Sequence, residues 1–262
     1  MGLRPIMISS STLKGLALPV VLIVAAEIAG RMVDLSHSDS LAPPSAIARA
    51  FVEAVADGSM IAATRDTLAS AFAGLAIGAS IGLLIGIILG VLPLADRLME
   101  VTIESIRPIP SIAVLPIALI ALGFGYRLEI AIVAFACLWS PLILARAAVR
   151  GVEPRLIEVS RALRLTPAAR IAKIVIPAAL PRIFVAFRLA VGIALIVAVT
   201  VEIAINPLGL GHGIMTAQQA LRPDLMLAYL VWLGILGFGL NALMVLAQQR
   251  LFGRAAIVEE PR

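Results

Sequence analysis

Six stretches of this chain are apolar for about as long as a helix needs to cross a bilayer, and nothing else in the sequence narrows the fold so far. They lie near residues 15–33, 67–92, 109–125, 130–149, 183–205 and 225–246, against a requirement of about 20 residues for roughly 30 Å of hydrocarbon. Inside hydrocarbon every backbone N–H and C=O must find its partner within the segment, so such runs form helices. Composition agrees: 61% of the 262 residues are hydrophobic and 14% charged, with a mean hydropathy of +1.06, more apolar surface than a soluble core conceals. The expected fold is an all-α membrane protein with about six transmembrane helices. Pro110, Pro116 and Pro141 interrupt the third and fourth runs, and Gly123-Phe124-Gly125 leaves only a short link between them.

The placement of Lys and Arg orients these spans. The chain carries 21 basic and 16 acidic residues, a formal charge of +5, which in a soluble protein would raise the question of nucleic acid. Here the basic residues fall between apolar runs. With the N-terminus inside, fifteen occupy inward segments: Arg4 and Lys14, then Arg97 and Arg107, eight from Arg146 to Arg182, and Arg250, Arg254 and Arg262. Five face outward: Arg31, Arg49, Arg65, Arg127 and Arg222. An excess of Lys and Arg marks the cytoplasmic side, which makes 1–14 a cytoplasmic N-terminus, 15–252 the membrane domain and 253–262 a cytoplasmic tail. The first run follows Arg4 and Lys14 as a secretory leader would, but it continues to Val33, beyond a leader's apolar core. On the outside, Pro43-Pro44-Ser45 opens a short helix whose Ile47, Phe51, Val52 and Val55 recur at helical spacing up to Asp57-Gly58.

Gly74, Gly78, Gly82, Gly86 and Gly90 recur every fourth residue along the second run, a smooth stripe on which another helix backbone packs closely. The stripe contains Gly78-Ala79-Ser80-Ile81-Gly82, formally a serine-hydrolase signature. That motif needs a sharp strand-to-helix turn and a nearby histidine base, whereas this copy lies within a helix and the only histidines, His37 and His212, fall in expected outside loops. Two isolated histidines make no metal site, and Cys137, the only cysteine, reads as a small core residue. A phosphate-binding loop needs a Lys directly after Gly; the only lysines are Lys14, after Leu13, and Lys173, after Ala172. Any ATP is therefore held by another chain.

The inward loop 146–182 is the most informative segment. Pro154 to Leu165 suits one short helix, and Thr166 as N-cap with Pro167 at the first helical position starts a second. Glu158, Ile174 and Pro177 stand at the spacing of a known pattern: E-A-A, three residues, G, nine residues, then I-x-L-P. Val159, Ser160 and Ile176 replace its Ala, Ala and Leu, and Arg164 replaces its Gly. The loop thus resembles the coupling loop of bacterial binding-protein-dependent ABC importers. Pro43-Pro44-Ser45-Ala46-Ile47, the segment from Arg107 to Pro116, and Gly209-Leu210-Gly211 after Glu202 extend the likeness to the nitrate, sulfonate and taurine permeases.

This resemblance implies a type I ABC importer permease (MetI-like) architecture, embedded in the bacterial inner membrane and working with a second copy of itself, two ATP-binding subunits and an outside solute-binding protein. No cofactor is expected on this chain and no enzymatic activity; ATP and Mg belong to the partner ATPase. The ATPase-coupling residues it implies are Glu158, Val159, Ser160, Leu163, Arg164, Leu165, Thr166, Pro167 and Pro177. The solute it implies is a small organic or inorganic anion such as a sulfonate, taurine or nitrate. Glu27, Arg188 and Glu202 are the conspicuous ionisable groups within the apolar runs, and such groups usually face a bundle interior or a watery cavity. Arg188 falls near the inward end of its run, within reach of the interface; Glu202, with Asn206 one turn on, suits a gate or a structural hydrogen bond. Arg188, Glu202 and Asn206 are the candidates for the translocation pathway or gate. An ion-coupled secondary transporter or channel acting without an ATPase is the alternative, which would show charged or broken-helix ion sites near the midplane.

Overall fold

The structure, a computed structural model, describes residues 10–32 and 40–252, with side chains from residue 17 onward. Arg4, His37, Arg254, Arg262, the first nine residues of the N-terminal segment and the tail 253–262 lie outside the described residues, as does the Lys14 side chain. All regular structure among the described residues is helical. The chain divides into two compact units, one holding residues up to Ile61 together with Gly213–Trp232, the other Ala62–His212 with the chain from Leu233 on.

In the first unit, α1 (Ser10–Met32) and α2 (Pro44–Ala56) are joined by one carboxylate. Glu27 accepts hydrogen bonds from Arg31 Nε at 2.8 Å and from the Ser45 amide at 2.9 Å. The latter satisfies a free N–H in the first turn of α2, which has no side-chain cap of its own. Pro43, not Ser45, is the N-cap of α2, and Pro44 takes the first helical position, where its missing N–H costs nothing. Ala50 and Ala54 turn inward, and Phe51 meets Trp232 at a ring separation of 5.7 Å.

The second unit is built around α3 (Ser59–Val91), α6 (Tyr126–Arg150), α9 (Ile176–Ala204) and α11 (Pro223–Phe252). The glycine stripe is the seam between α3 and α6. A Cβ added at Gly74 would sit 2.6 Å from the Val133 Cβ, and one at Gly90 2.7 Å from that of Val149; at Gly78, Gly82 and Gly86 it would strike the carbonyl oxygens of Ala134, Leu138 and Leu142. Glycine lets the two backbones touch, so that dispersion and Cα–H···O contacts can hold them in lipid. Because the register rises along both helices, α3 and α6 run parallel. The chain between them must then cross the membrane once more.

That crossing differs in extent from the third span expected over 109–125. It is a broken one: α4 (Pro93–Ile106) turns by 81° into a 3-10 turn at Ser111–Val114 and α5 (Leu115–Leu122). Pro108 and Pro110 cannot donate to a helix ladder and fix the break. Four helices are individually long and apolar enough to cross, and the bent pair makes a fifth span. α1, with 23 residues, is about 35 Å long at 1.5 Å per residue.

α9 runs against α6. Leu128 and Ile132 pack near Val201, the Cys137 thiol lies 3.5 Å from the Ala190 carbonyl oxygen, and Ala148 and Val149 meet Val175 and Ala179. α11 runs against α9 in turn, with Gly237 beside Leu195 and Phe252 beside Phe184.

Candidate functional site

The inward loop folds as two short helices, α7 (Pro154–Ala162) and α8 (Pro167–Arg170). α7 closes with a complete Schellman turn: the Leu165 amide donates to the Ser160 carbonyl at 3.0 Å and the Arg164 amide to that of Arg161 at 2.9 Å. Its left-handed residue is Arg164, at φ +50°. The turn that a glycine usually makes is therefore present without the glycine. Thr166 caps α8 as expected, its hydroxyl accepting from the Ala169 amide at 3.3 Å, and Pro167 takes the first helical position.

α8 then runs without a break in helicity through a π turn at Ile171–Val175 into α9. The Ile176 amide reaches back five residues to the Ile171 carbonyl. Pro177 explains the wide turn: it lacks the N–H for the Lys173 carbonyl and its ring would press on that group. The loop is thereby mechanically continuous with a spanning helix. On the other side Ile157 packs into the cluster of Ala148, Val149, Val175 and Ala179 at the inner ends of α6 and α9. Pinned there, α7 turns Glu158, Val159 and Leu163 outward, Val159 at 50% and Leu163 at 66% exposure. Ser160, among the coupling residues the resemblance implies, is fully buried and its hydroxyl donates to the Ile157 carbonyl at 2.6 Å. Leu165 is half-buried.

Just above this loop Asp96, buried in the first turn of α4, receives Arg146 Nη2 at 2.9 Å and also pairs with Arg150. The sequence reading counted these arginines only as topological charge. Their spacing of four, on one helix face, was the available sign of a shared partner.

At the opposite ends of the helices lies a buried polar cluster. Glu202 is 2% exposed. One of its oxygens accepts from the Thr67 hydroxyl at 2.7 Å and the other from the Gly211 amide at 2.8 Å, while Thr67 itself accepts from the Leu210 amide at 2.8 Å. These amides form the start of α10 (Gly209–Gln219), so a carboxylate sits where the helix dipole favours negative charge. Gly209, at φ +80°, leaves no room for a Cβ beside the Glu202 carboxyl. Asn206 accepts from the Gly125 amide at 2.8 Å and donates to Glu129 at 2.7 Å. Glu202 and Asn206 thus tie the α5–α6 link and the start of α10 to the end of α9. Glu129, fully buried, escapes the sequence pattern because the fourth apolar run begins only at Ile130. His212 lies on α10, not in a loop.

Arg188 stands apart. α9 begins at Ile176, not near 183, so Arg188 lies well inside the span. By register it is level with the middle of α6, since Ala190 meets Cys137. Its Nε donates to Asn241 Oδ1 of α11 at 3.2 Å. On insertion scales an arginine at a helix centre costs about 2.5–3.5 kcal/mol.

Comparison with known proteins adds family to geometry. Residues 78–256 match the model for "Binding-protein-dependent transport system inner membrane component". A Bacillus subtilis (strain 168) permease protein assigned to aliphatic sulfonates transport, SsuC, is 28% identical over 239 residues, covering 91% of this chain and 86% of that protein. The bicarbonate transport system permease protein CmpB of Synechocystis sp. is 33% identical over 128 residues, 48% of this chain and 46% of its own. Among solved structures, an inward-facing form of the MetNI methionine ABC transporter superposes with a TM-score of 0.63 at 24% identity, covering 73% of this chain and 93% of that one.

Proposed function

Since the chain belongs to the binding-protein-dependent transport system inner membrane component family and is a multi-pass ABC importer permease subunit, we propose that it forms the translocation pathway for a small anion and that α7 and α8 couple that pathway to a separate ATPase. The observation that carries the coupling role is the outward face of α7, with Glu158 beside the exposed apolar Val159 and Leu163, on a loop continuous with α9 through the π turn at Ile171–Val175. Apolar side chains on a charged inward loop suit a partner groove, and a rigid join to a spanning helix suits transmission of rigid-body motion.

In this reading two copies of the chain stand in the bacterial inner membrane, both termini cytoplasmic, with two ATPase subunits binding Mg and ATP below and a solute-binding protein outside. Closure of the ATPases swings the loop and opens the pathway outward; hydrolysis resets it. The solute is a sulfonate, taurine, nitrate or similar anion.

Glu158→Lys tests the coupling. A misplaced like charge at an interface costs several kcal/mol, whereas a solvated loop charge matters by less than about 0.5 kcal/mol. The variant is expected to insert normally but to lose ATPase attachment or uncouple hydrolysis from transport in reconstituted membranes, with Arg155→Glu the milder control. Normal transport with full ATPase stimulation by Glu158→Lys would remove that residue from the coupling surface. Transport by the purified chain alone would favour a secondary transporter.

A further inference from the structure

We propose that Glu129 and Glu202 form a binding site for one proton, and that the bound proton latches α6 to α9 at the end of the bundle opposite α7 and α8. The inference goes beyond the permease reading and depends on neither the solute nor the ATPase.

Both residues are buried, Glu129 completely and Glu202 at 2% exposure, and their carboxyl groups lie within hydrogen-bond reach of each other. Two carboxylates offer only acceptors. Their contact becomes a hydrogen bond when one of them carries a proton, and two like charges so close in a low dielectric do not both stay ionised. The surrounding donors decide which keeps the charge. Glu202 receives the Thr67 hydroxyl on one oxygen and the Gly211 amide on the other, at the positive end of α10. Glu129 receives Asn206 at Oε2, and the nearby Ser70 hydroxyl is donated to the Asp66 carbonyl at 3.1 Å. Glu129 Oε1 is left buried with no hydrogen-bond partner. A proton on that oxygen gives it one, Glu202, and leaves a single negative charge where the donors are.

The neighbouring elements bring no arginine or lysine to the pair. From α3, Asp66 faces Glu202, but Arg65 meets its charge at 2.9 Å and the Tyr126 hydroxyl donates to it at 2.9 Å. Tyr126 is also the titratable neighbour of Glu129 on α6 itself. α10 contributes His212, next to Gly211, and α5 packs beside Leu128 with apolar Leu115 and Leu119. A metal ion needs several open oxygens, whereas in this cluster only Glu129 Oε1 is without a partner. Glu129 stands in the first turn of α6 and is fastened through Asn206 to the α5–α6 link. Loss of the proton therefore sets two charges against each other at the joint of α6, α9 and α10.

Infrared spectroscopy of the full chain in nanodiscs, with isotope-labelled glutamate carboxyls, tests the site. At neutral pH the parent is expected to show the carbonyl stretch of a protonated carboxyl, absent from Glu129→Gln and unchanged when sodium replaces potassium in the buffer. As the pH rises the band should disappear, and exchange of the Gly211 amide hydrogen, corrected for its intrinsic rate, should accelerate about tenfold or more. Glu129→Gln keeps a neutral donor for Glu202 and should hold that amide in slow exchange over the same range. A parent without the band, a band that survives in Glu129→Gln, or one that appears only when alkali cations are withdrawn, as for a metal ion in the proton's place, overturns the proposal. So does Gly211 exchange that follows pH equally in the two proteins. If Glu129→Gln does not accumulate, the parent decides alone: loss of its band together with Gly211 protection supports the latch, and loss of either without the other rejects it.

Discussion

Arg164 occupies a left-handed backbone position, φ +50°, that costs an L-residue about 1–2 kcal/mol relative to glycine. The two Schellman hydrogen bonds to Ser160 and Arg161 hold it there, so replacing the glycine of the coupling pattern alters the energy of the turn and leaves its geometry intact. Arg164→Gly removes the strain but loosens the unfolded loop, which returns about 0.4–1 kcal/mol. The net expectation is a gain of about 0.5–1 kcal/mol. Hydrogen exchange at the Leu165 amide, which the turn protects, should slow by about two- to fivefold, while Arg164→Val, β-branched in a left-handed position, should accelerate it. Unchanged exchange in both would mean the turn is not held as described. The coupling pattern locates Arg164 by the glycine it replaces, but the hydrogen bonds that hold the turn come from backbone atoms, which carry no mark in the sequence. Glu202 shows the same limit. Its place inside an apolar run marked it as special, yet Thr67, one of its hydrogen-bond partners, is 135 positions away.

The glycine stripe was legible as a packing face because a period of four on a helix defines one side; its partner was not, since α6 answers with main-chain carbonyls as much as with side chains. Gly82 is the sharpest contact, facing the Leu138 carbonyl oxygen, with the Leu142 amide nitrogen 3.2 Å from an added Cβ. Backbone cannot move aside as a side chain can, so Gly82→Leu should separate α3 from α6 and lower the amount of assembled protein. Ile81→Leu, one position away on a half-exposed face, should be tolerated. Equal accumulation and transport by Gly82→Leu would place the stripe against lipid instead. The broken span α4–α5 was the least legible element. Its prolines announce an interruption, but the pairing of Asp96 with the two arginines of α6 that fasten α4 at its start leaves no local mark in the sequence. Those partners stand 50 and 54 positions away.

At the scale of the whole molecule, the parallel register of α3 and α6 and the antiparallel register of α6 with α9 and of α9 with α11 fix the directions of these spans relative to one another. They leave open which side of the membrane is inside, and only the basic residues speak to that. By the positive-inside rule, fifteen inward against five outward predicts a cytoplasmic α7–α8 loop, with the start of α6 outside. The chain provides its own low background for a labelling test, because Cys137 is fully buried. Arg155 and Arg65 have side chains 87% and 76% exposed, so a cysteine at either position is open to reagent, and neither residue belongs to the buried clusters. In intact cells a membrane-impermeant maleimide should modify Arg65→Cys and leave Arg155→Cys untouched. In inverted vesicles the pattern should reverse, and the parent should stay unlabelled in both. Modification of Arg155→Cys from outside the intact cell would invert the topology, place α7 and α8 beyond the reach of any cytoplasmic ATPase, and with that remove the coupling role.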